Sequence, residues 1–113
     1  MLPKVKTHWH EIRQACICLA QFAAGRSRTD YESDVYFRSA VERQFTILGE
    51  ALNLALKLDA SLAQQISETR AIVAFRNVLV HGYAAIDNDK VWAVLQTKLP
   101  QLRQEVRALL AQP

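Results

Sequence analysis

Turn-forming residues are scarce in this sequence of 113 residues. It contains three glycines and three prolines, and no proline lies between Pro3 and Pro100. An all-β domain of this length needs a turn signal about every 8–12 residues. Proline is also the residue that breaks helices most strongly. The shortage of both residues therefore excludes an all-β fold and predicts an all-α domain.

Long apolar runs are also missing. No stretch approaches the roughly 18 consecutive apolar residues of a membrane span, and the N-terminal segment lacks the apolar core of a signal peptide. We therefore expect no membrane association and a cytoplasmic location. The two cysteines, Cys16 and Cys18, would point about 200° away from each other on a helix. That direction suits neither a disulfide nor metal chelation, as is usual for cytoplasmic thiols.

Metal-ligand sets and glycine-rich phosphate loops are absent from the sequence as well. No group of His, Cys, Asp and Glu has the spacing of a metal site, and the glycines lie too far apart to form a phosphate-binding loop. His8 and His10 lie two positions apart, so they cannot share a ligand on one helix face. We therefore expect no metal and no cofactor, and we interpret both histidines as solvated or packing residues.

The charge balance permits contact with nucleic acid without requiring it. The chain carries 14 Lys and Arg against 11 Asp and Glu, and nine of the cations are arginines spread from Arg13 to Arg107. Arginine is suited to bidentate contacts with phosphate. Residues 1–113 are expected to form a single domain, which is small for enclosing a deep cleft. A large ligand would therefore bind on its surface or between two copies.

Apolar residues recur at three- and four-residue steps through most of the chain, the period of a helix that packs on one face. We predict an up-and-down bundle of four to five helices. The main helices are expected over residues 4–24, 31–58, 69–80 and 90–111, with a short helical stretch near 62–66. Thr29 or Asp30 is expected to cap the second helix, and residues 87–89 the last. Pro100 should kink or divide the last helix.

The segment RNVLVHGY gathers a cation, an imidazole and a phenol at the end of the third main helix. At about 100° per residue, Arg76 and Tyr83 return to one face, whereas His81 lies about 140° round from Arg76. If the helix ends at Val80, a loop permitted by Gly82 can turn the imidazole back, or the histidine can act across a subunit boundary. Spacing alone also fits a plain helix end, where the macrodipole favours a histidine.

This segment resembles the R-x-x-x-x-H-x-Y signature of the HepT-like proteins in the HEPN superfamily. AVERQFTILGEALN at 40–53 and VWAVLQTKLPQL at 91–102 resemble two further blocks of that family in the same order. The resemblance implies a HEPN-like helical bundle and a homodimeric endoribonuclease, the toxin of a type VII toxin–antitoxin system that cleaves tRNA or mRNA. It also implies an MntA-like nucleotidyltransferase antitoxin as partner, with catalytic roles for Arg76 and His81 and AMP modification of Tyr83.

Cleavage of RNA without a metal needs a base for the 2′-OH proton, an acid for the leaving 5′-oxygen and a cation beside the phosphate. One chain offers one well-placed histidine. A two-fold dimer would bring two copies of His81 and Arg76 to the same interface. We therefore expect a composite site at the dimer interface, a 2′,3′-cyclic phosphate product and an inactive monomer.

Three further residues are candidates for supporting roles. Glu50 lies seven positions after Arg43, on the same face of the second helix, and Asn77 is the neighbour of Arg76 in the motif. Glu50 orients Arg76 or His81 by hydrogen bonding, or it forms an exposed pair with Arg43; the sequence favours neither. The alternative function is a non-catalytic nucleotide- or substrate-binding subunit of a nucleotidyltransferase complex. A third is a bundle with an interaction function only.

Overall fold

Helices make up the regular structure of the chain, seen in a computed structural model that describes residues 1–82 and 86–112. The α-helices are α1 (Pro3–Ala23), α2 (Arg28–Ser33), α3 (Val35–Leu58), α4 (Thr69–His81), α5 (Asn88–Ala93) and α6 (Leu99–Leu110). A 3-10 helix, Ala60–Gln64, follows α3, and a π-helical turn, Val94–Lys98, joins α5 to α6. The predicted all-α bundle is confirmed.

The two longest helices, α1 and α3, pack against each other and form the centre of the bundle. α4 packs against α3, and α6 packs against α1. The apolar stripe predicted for α3 is buried along its whole length: Val41, Phe45, Leu48, Leu52 and Ala55. Each large side chain buried in this way stabilises the fold by about 1.5–3 kcal/mol. The core therefore lies chiefly between α1 and α3, and α4 is an outer helix.

The prediction of one helix over residues 31–58 is wrong at its start, because the chain forms two helices there, α2 and α3, each with its own N-terminal cap. Ser27 caps α2 through a capping box: the Asp30 N–H donates to Ser27 Oγ at 3.1 Å, and the Ser27 N–H donates to Asp30 Oδ2 at 2.8 Å. Asp34 then caps α3, accepting hydrogen bonds from the backbone N–H groups of Tyr36 and Phe37. The N–H groups of Asp30, Tyr36 and Phe37 lie in the first turns of α2 and α3, where no preceding turn supplies a carbonyl, so the side-chain oxygens fix where each helix begins.

The expected cap of the second helix is also corrected, since Ser27 rather than Thr29 or Asp30 occupies that position. Asp30 instead supplies the reciprocal carboxylate of the capping box. Hydrogen bonds from Ser27 hold the pKa of the Asp30 carboxyl below its usual value. A capping box places its acid three residues after the cap, and the S-x-x-D spacing here indicates that arrangement.

The last helical region begins and divides where the sequence indicates. Asp87 caps α5, accepting hydrogen bonds from the N–H groups of Asp89 and Lys90. The π-helical turn ends at Lys98, and Pro100 lies in the first turn of α6. Proline is tolerated in the first turn because the N–H it lacks has no intrahelical partner there. The division near Pro100 is therefore found as expected.

No helix in the described part of the chain is long and apolar enough to cross a membrane. Both cysteines are free thiols. Burial raises the pKa of the Cys16 thiol to about 12, so this side chain stays neutral at physiological pH.

Loss of the α3 cap should be measurable as a loss of stability. We expect Asp34→Ala to lower the free energy of unfolding by about 1 kcal/mol, because two N–H groups lose their acceptor. Asp34→Asn keeps an acceptor of similar reach and should lie close to the wild type. Ser39→Ala, at an exposed position within α3, is the control. Urea denaturation measures all three; equal losses for Asp34→Ala and Asp34→Asn would show that the ion pair with Arg26 matters instead.

Candidate functional site

Arg76 lies directly against α3 because position 49 carries no side chain. A Cβ atom placed on Gly49 would lie 2.3 Å from Arg76 Cβ and 2.8 Å from Arg76 Cγ. Contacts this short do not occur between real carbon atoms, and the atoms involved belong to the base of the arginine side chain, which cannot turn away. Gly49 is therefore required for the close approach of α4 to α3 at Arg76.

The guanidinium of Arg76 is held between two polar side chains. Arg76 Nη2 lies 2.7 Å from Glu50 Oε2, and Arg76 Nη1 donates to Asn77 Oδ1 at 2.9 Å. The side chain of Arg76 is 22% exposed and that of Glu50 is 43% exposed. Arg76 Nε is buried and has no hydrogen-bond partner within residues 1–82 and 86–112. The orientation of the Arg76 guanidinium is thus fixed by its two neighbours, and the side chain remains partly exposed to solvent.

Of the two arrangements open for Glu50, the structure has the contact with Arg76. Arg43 is exposed on the same helix, and it forms no ion pair with Glu50 in the described part of the chain. The structure therefore brings Glu50, Arg76 and Asn77 together and leaves Arg43 apart. The functional roles of all four residues stay predictions.

His81 is the last residue of α4 and is exposed. The expected helix end at Val80 is wrong by one residue, because the Gly82 N–H donates to Val78 O at 2.8 Å and the turn is completed through His81. The helical separation of about 140° between Arg76 and His81 therefore applies. His81 is part of the helix, so no loop within the described residues turns its imidazole back towards Arg76. Action across a subunit boundary stays a prediction, and a plain helix end fits the position as well.

Among the described residues, the other positions singled out from the sequence add no further group to this cluster. Tyr83 lies outside the described residues. His8 Nδ1 lies 3.3 Å from Glu11 Oε1, and His10 is exposed on α1. Within the described ranges, no three His, Cys, Asp or Glu side chains lie close enough together to hold a metal ion.

The residue that sequence reasoning missed is Gly49. It was visible only as part of the G-E-A step at 49–51, where a glycine inside a long helix costs about 1 kcal/mol relative to alanine. An isolated glycine in an otherwise strong helical pattern usually has a packing reason. Here that reason is the stem of Arg76, which occupies the space of the missing side chain.

Comparisons with known proteins bear on the family to which the chain belongs. The family described as "Ribonuclease HepT-like" matches residues 12–109. The chain belongs to this family. The resemblance to HepT-like proteins that the motif indicated is therefore confirmed, and the match covers α3, α4 and the Arg76 to His81 segment.

Two relatives of this HepT-like chain, each named "Putative RNase", align along most of their own length. The one from Caldanaerobacter subterraneus subsp. tengcongensis is 24% identical over 107 residues, covering 93% of each chain. The one from Methanocaldococcus jannaschii is 23% identical over 104 residues, covering 90% of this chain and 93% of the relative.

A third relative is a longer protein of Methanocaldococcus jannaschii named "Gamma-glutamylcyclotransferase and putative RNase". It is 20% identical over 110 residues, and the HepT-like chain spans 49% of its length. No solved structure gives a significant match. Membership of a ribonuclease family supports a ribonuclease activity and an RNA substrate.

The contact at Gly49 makes an unusual prediction about stability. Gly→Ala within a helix normally stabilises a protein by about 0.5–1 kcal/mol, whereas Gly49→Ala should destabilise this one by about 1–3 kcal/mol through overpacking. Adding Arg76→Gly removes the atoms that clash. The double variant should therefore lose less free energy of unfolding than the sum of the losses in the two single variants. A double-mutant cycle by urea denaturation measures this coupling. Additive effects would show that Arg76 is not the obstruction.

Proposed function

We propose that this HepT-like chain is a metal-independent endoribonuclease that acts as the toxin of a type VII toxin–antitoxin system in the cytoplasm. It cleaves tRNA or mRNA at a composite site on the interface of a homodimer. The observation that carries the proposal is the position of the motif residues: Arg76 is oriented by Glu50 on one side of α4, and His81 is exposed at the end of the same helix.

Arg76 is suited to stabilise the charge that builds on phosphate during cleavage. Its guanidinium is delocalised and always charged, and Glu50 and Asn77 hold two of its nitrogens in fixed directions. A cation that is oriented before the reaction needs no reorganisation when the charge develops. Glu50 is therefore a positioning residue in this proposal, and Asn77 assists it.

In this proposal, a second copy of the chain brings a histidine and an arginine together, because Arg76 and His81 of one chain point in different directions. Arg76 and His81 lie on different faces of α4, and Leu79 is the only buried residue of that helix. Val78, on the same turn, is 43% exposed. A two-fold axis beside this face would cover the apolar surface of α4 and set the motif of one protomer opposite that of its partner.

In the dimer, one copy of His81 takes the proton from the 2′-hydroxyl of the substrate. The 2′-oxygen attacks phosphorus, the bond from phosphorus to the 5′-oxygen breaks, and the second copy of His81 donates a proton to the leaving oxygen. Arg76 stabilises the phosphorane charge. The products are a 2′,3′-cyclic phosphate and a free 5′-hydroxyl, and no metal ion takes part.

Neutralisation is proposed to occur at Tyr83, two residues after His81 in the sequence. An MntA-like nucleotidyltransferase antitoxin would transfer AMP from ATP to the phenolic oxygen and release pyrophosphate. The added phosphodiester is negatively charged and bulky, so it would compete with RNA for the motif cations by charge and by steric exclusion.

Cleavage should depend on the two motif residues and not on metal. We expect wild-type protein to cleave total RNA in EDTA, leaving 2′,3′-cyclic phosphate ends that end mapping detects. His81→Ala and Arg76→Ala should each lower the rate by at least about 100-fold, since each removes a proton-transfer or charge-stabilising group. His10→Ala, at an exposed histidine of α1, is the control and should cleave like the wild type.

The positioning role of Glu50 is tested in the same assay. Glu50→Gln should lower kcat and leave KM close to the wild-type value, because the guanidinium remains but is less well oriented. Arg43→Gln, the matched exposed position on α3, should change neither constant. Full cleavage by Glu50→Gln would remove Glu50 from the site. Partner binding without any cleavage by the wild type would favour the non-catalytic subunit of a nucleotidyltransferase complex.

Modification at Tyr83 gives a separate prediction. Coexpression with an MntA-like nucleotidyltransferase should add the mass of one or more AMP groups, detected by intact-mass spectrometry, and should abolish cleavage. Tyr83→Phe lacks the acceptor oxygen and should gain no such mass, and Tyr36→Phe, at an exposed tyrosine of α3, should be modified as the wild type is. An increment that survives Tyr83→Phe would contradict the assignment.

A further inference from the structure

Three arginines without a carboxylate partner line one groove on the surface. Arg26, Arg28 and Arg76 form ion pairs, and Arg38 donates to backbone carbonyl groups. The other five arginine side chains form no ion pair within residues 1–82 and 86–112. Three of those five, Arg13, Arg103 and Arg107, line the groove between α1 and α6. We call this groove, defined by these three residues, the arginine groove.

The arginine groove consists of two adjoining hollows of about 460 and 330 Å³, and Arg103 and Arg107 line both. Because they lie four residues apart, the two side chains share one face of α6. Arg13 extends from α1 into the smaller hollow. The α1 side of the larger hollow is formed by alanines, so no long side chain from α1 fills it. The three arginine side chains therefore line a groove that is open to a ligand.

No carboxylate in the described part of the chain neutralises these three charges within the groove, because neither hollow is lined there by Asp or Glu. The charge of Arg103 acts on the Cys16 thiol and favours its ionisation, but burial has the larger effect and raises the pKa of that thiol to about 12. Cys16 therefore stays neutral and supplies no negative charge. Like charges held this close repel each other, and an anionic ligand would relieve that repulsion.

We infer that the arginine groove binds the phosphate backbone of RNA. This choice of ligand rests on the proposed ribonuclease function, and the groove shares no residue with the cluster of Glu50, Arg76 and Asn77. The guanidinium forks of Arg13, Arg103 and Arg107 match phosphate oxygens, and Gln96 and Gln104 supply further donors beside them.

The lining also favours RNA backbone over a protein partner. Among the described residues, no aromatic side chain lines either hollow, whereas protein interfaces are usually centred on buried aromatic anchors. Without aromatic side chains the groove offers bases no aromatic platform, so it would hold RNA chiefly by its phosphates and tolerate any sequence. The groove would thus raise the affinity for substrate without choosing the cleavage position.

The test measures binding of an RNA that the chain cannot cleave. The probe is a fluorescent mixed-sequence oligoribonucleotide with 2′-O-methyl groups, because methylation removes the attacking hydroxyl. Fluorescence anisotropy over a series of KCl concentrations gives the dissociation constant and its salt dependence. The groove variant carries Arg13→Gln, Arg103→Gln and Arg107→Gln. Circular dichroism confirms that each variant is folded.

The matched control removes the same charge elsewhere. It carries Lys4→Gln, Lys6→Gln and Lys57→Gln, three exposed lysines of α1 and α3 that do not line the groove. A third variant replaces the three groove arginines by lysine, which keeps the charge. These two comparisons separate a specific contact from the net charge of the chain.

We expect the groove variant to bind the probe at least about tenfold more weakly at low salt. Each phosphate contact contributes about 0.7 to the slope of log affinity against log salt for single strands. Losing three contacts should therefore flatten the slope by about 2. The lysine-substituted groove should keep most of the slope, and the control should stay close to the wild type.

Equal losses in the groove variant and the control would overturn the inference, because only net charge would then matter. Unchanged RNA binding with lost binding of an acidic protein would also overturn it and assign the groove to that protein. Cleavage by the wild type is measured separately on unmodified RNA. A chain that binds the probe through the groove but cleaves nothing contradicts the proposed function and leaves the inference standing.

Discussion

Helix α4 can lie against α3 at Arg76 only because position 49 has no Cβ atom, and the candidate site depends on that approach. The packing contact with Gly49 fixes the position of Arg76 Cβ and Cγ. The next residue of α3, Glu50, forms an ion pair with the Arg76 guanidinium. Two adjacent positions thus fix both ends of one side chain. The ion pair adds little stability, since both partners are partly exposed and screened by water. Its value lies in the direction it gives to the charge.

The bundle separates the task of folding from the task of contact with a ligand. α1 and α3 hold the core between them, and most of the large, fully buried side chains belong to these two helices. The polar cluster at Arg76 lies where α4 meets α3, and the arginine groove lies where α6 meets α1. Substitutions at either place leave the centre of the core intact, so a chain of this size can carry two distinct surfaces that present arginine side chains.

Much of the fold could be predicted from the period of its apolar residues, because core burial decides which face of a helix turns inward. The break at Asp34 could not, since apolar spacing continues across it and only the capping hydrogen bonds end one helix and start the next. The motif that contains Arg76 and His81 could be recognised from the sequence itself. The contact between Arg76 and Gly49 could not be predicted, because the helical period does not indicate which helices pack together or how closely.

Among the four helices of 12 residues or more, α4, which carries the motif, has the fewest buried side chains. α4 buries a single side chain, Leu79; no side chain caps its first turn, and the residue before it, Glu68, has a left-handed backbone with φ of 57°. Local opening of such an element costs much less free energy than global unfolding. Amide hydrogens of α4 should thus exchange with solvent sooner than those of α1 and α3. In the proposed dimer, pairing of two chains along α4 would order the helix, and the proposed site would form in one concentration-dependent step.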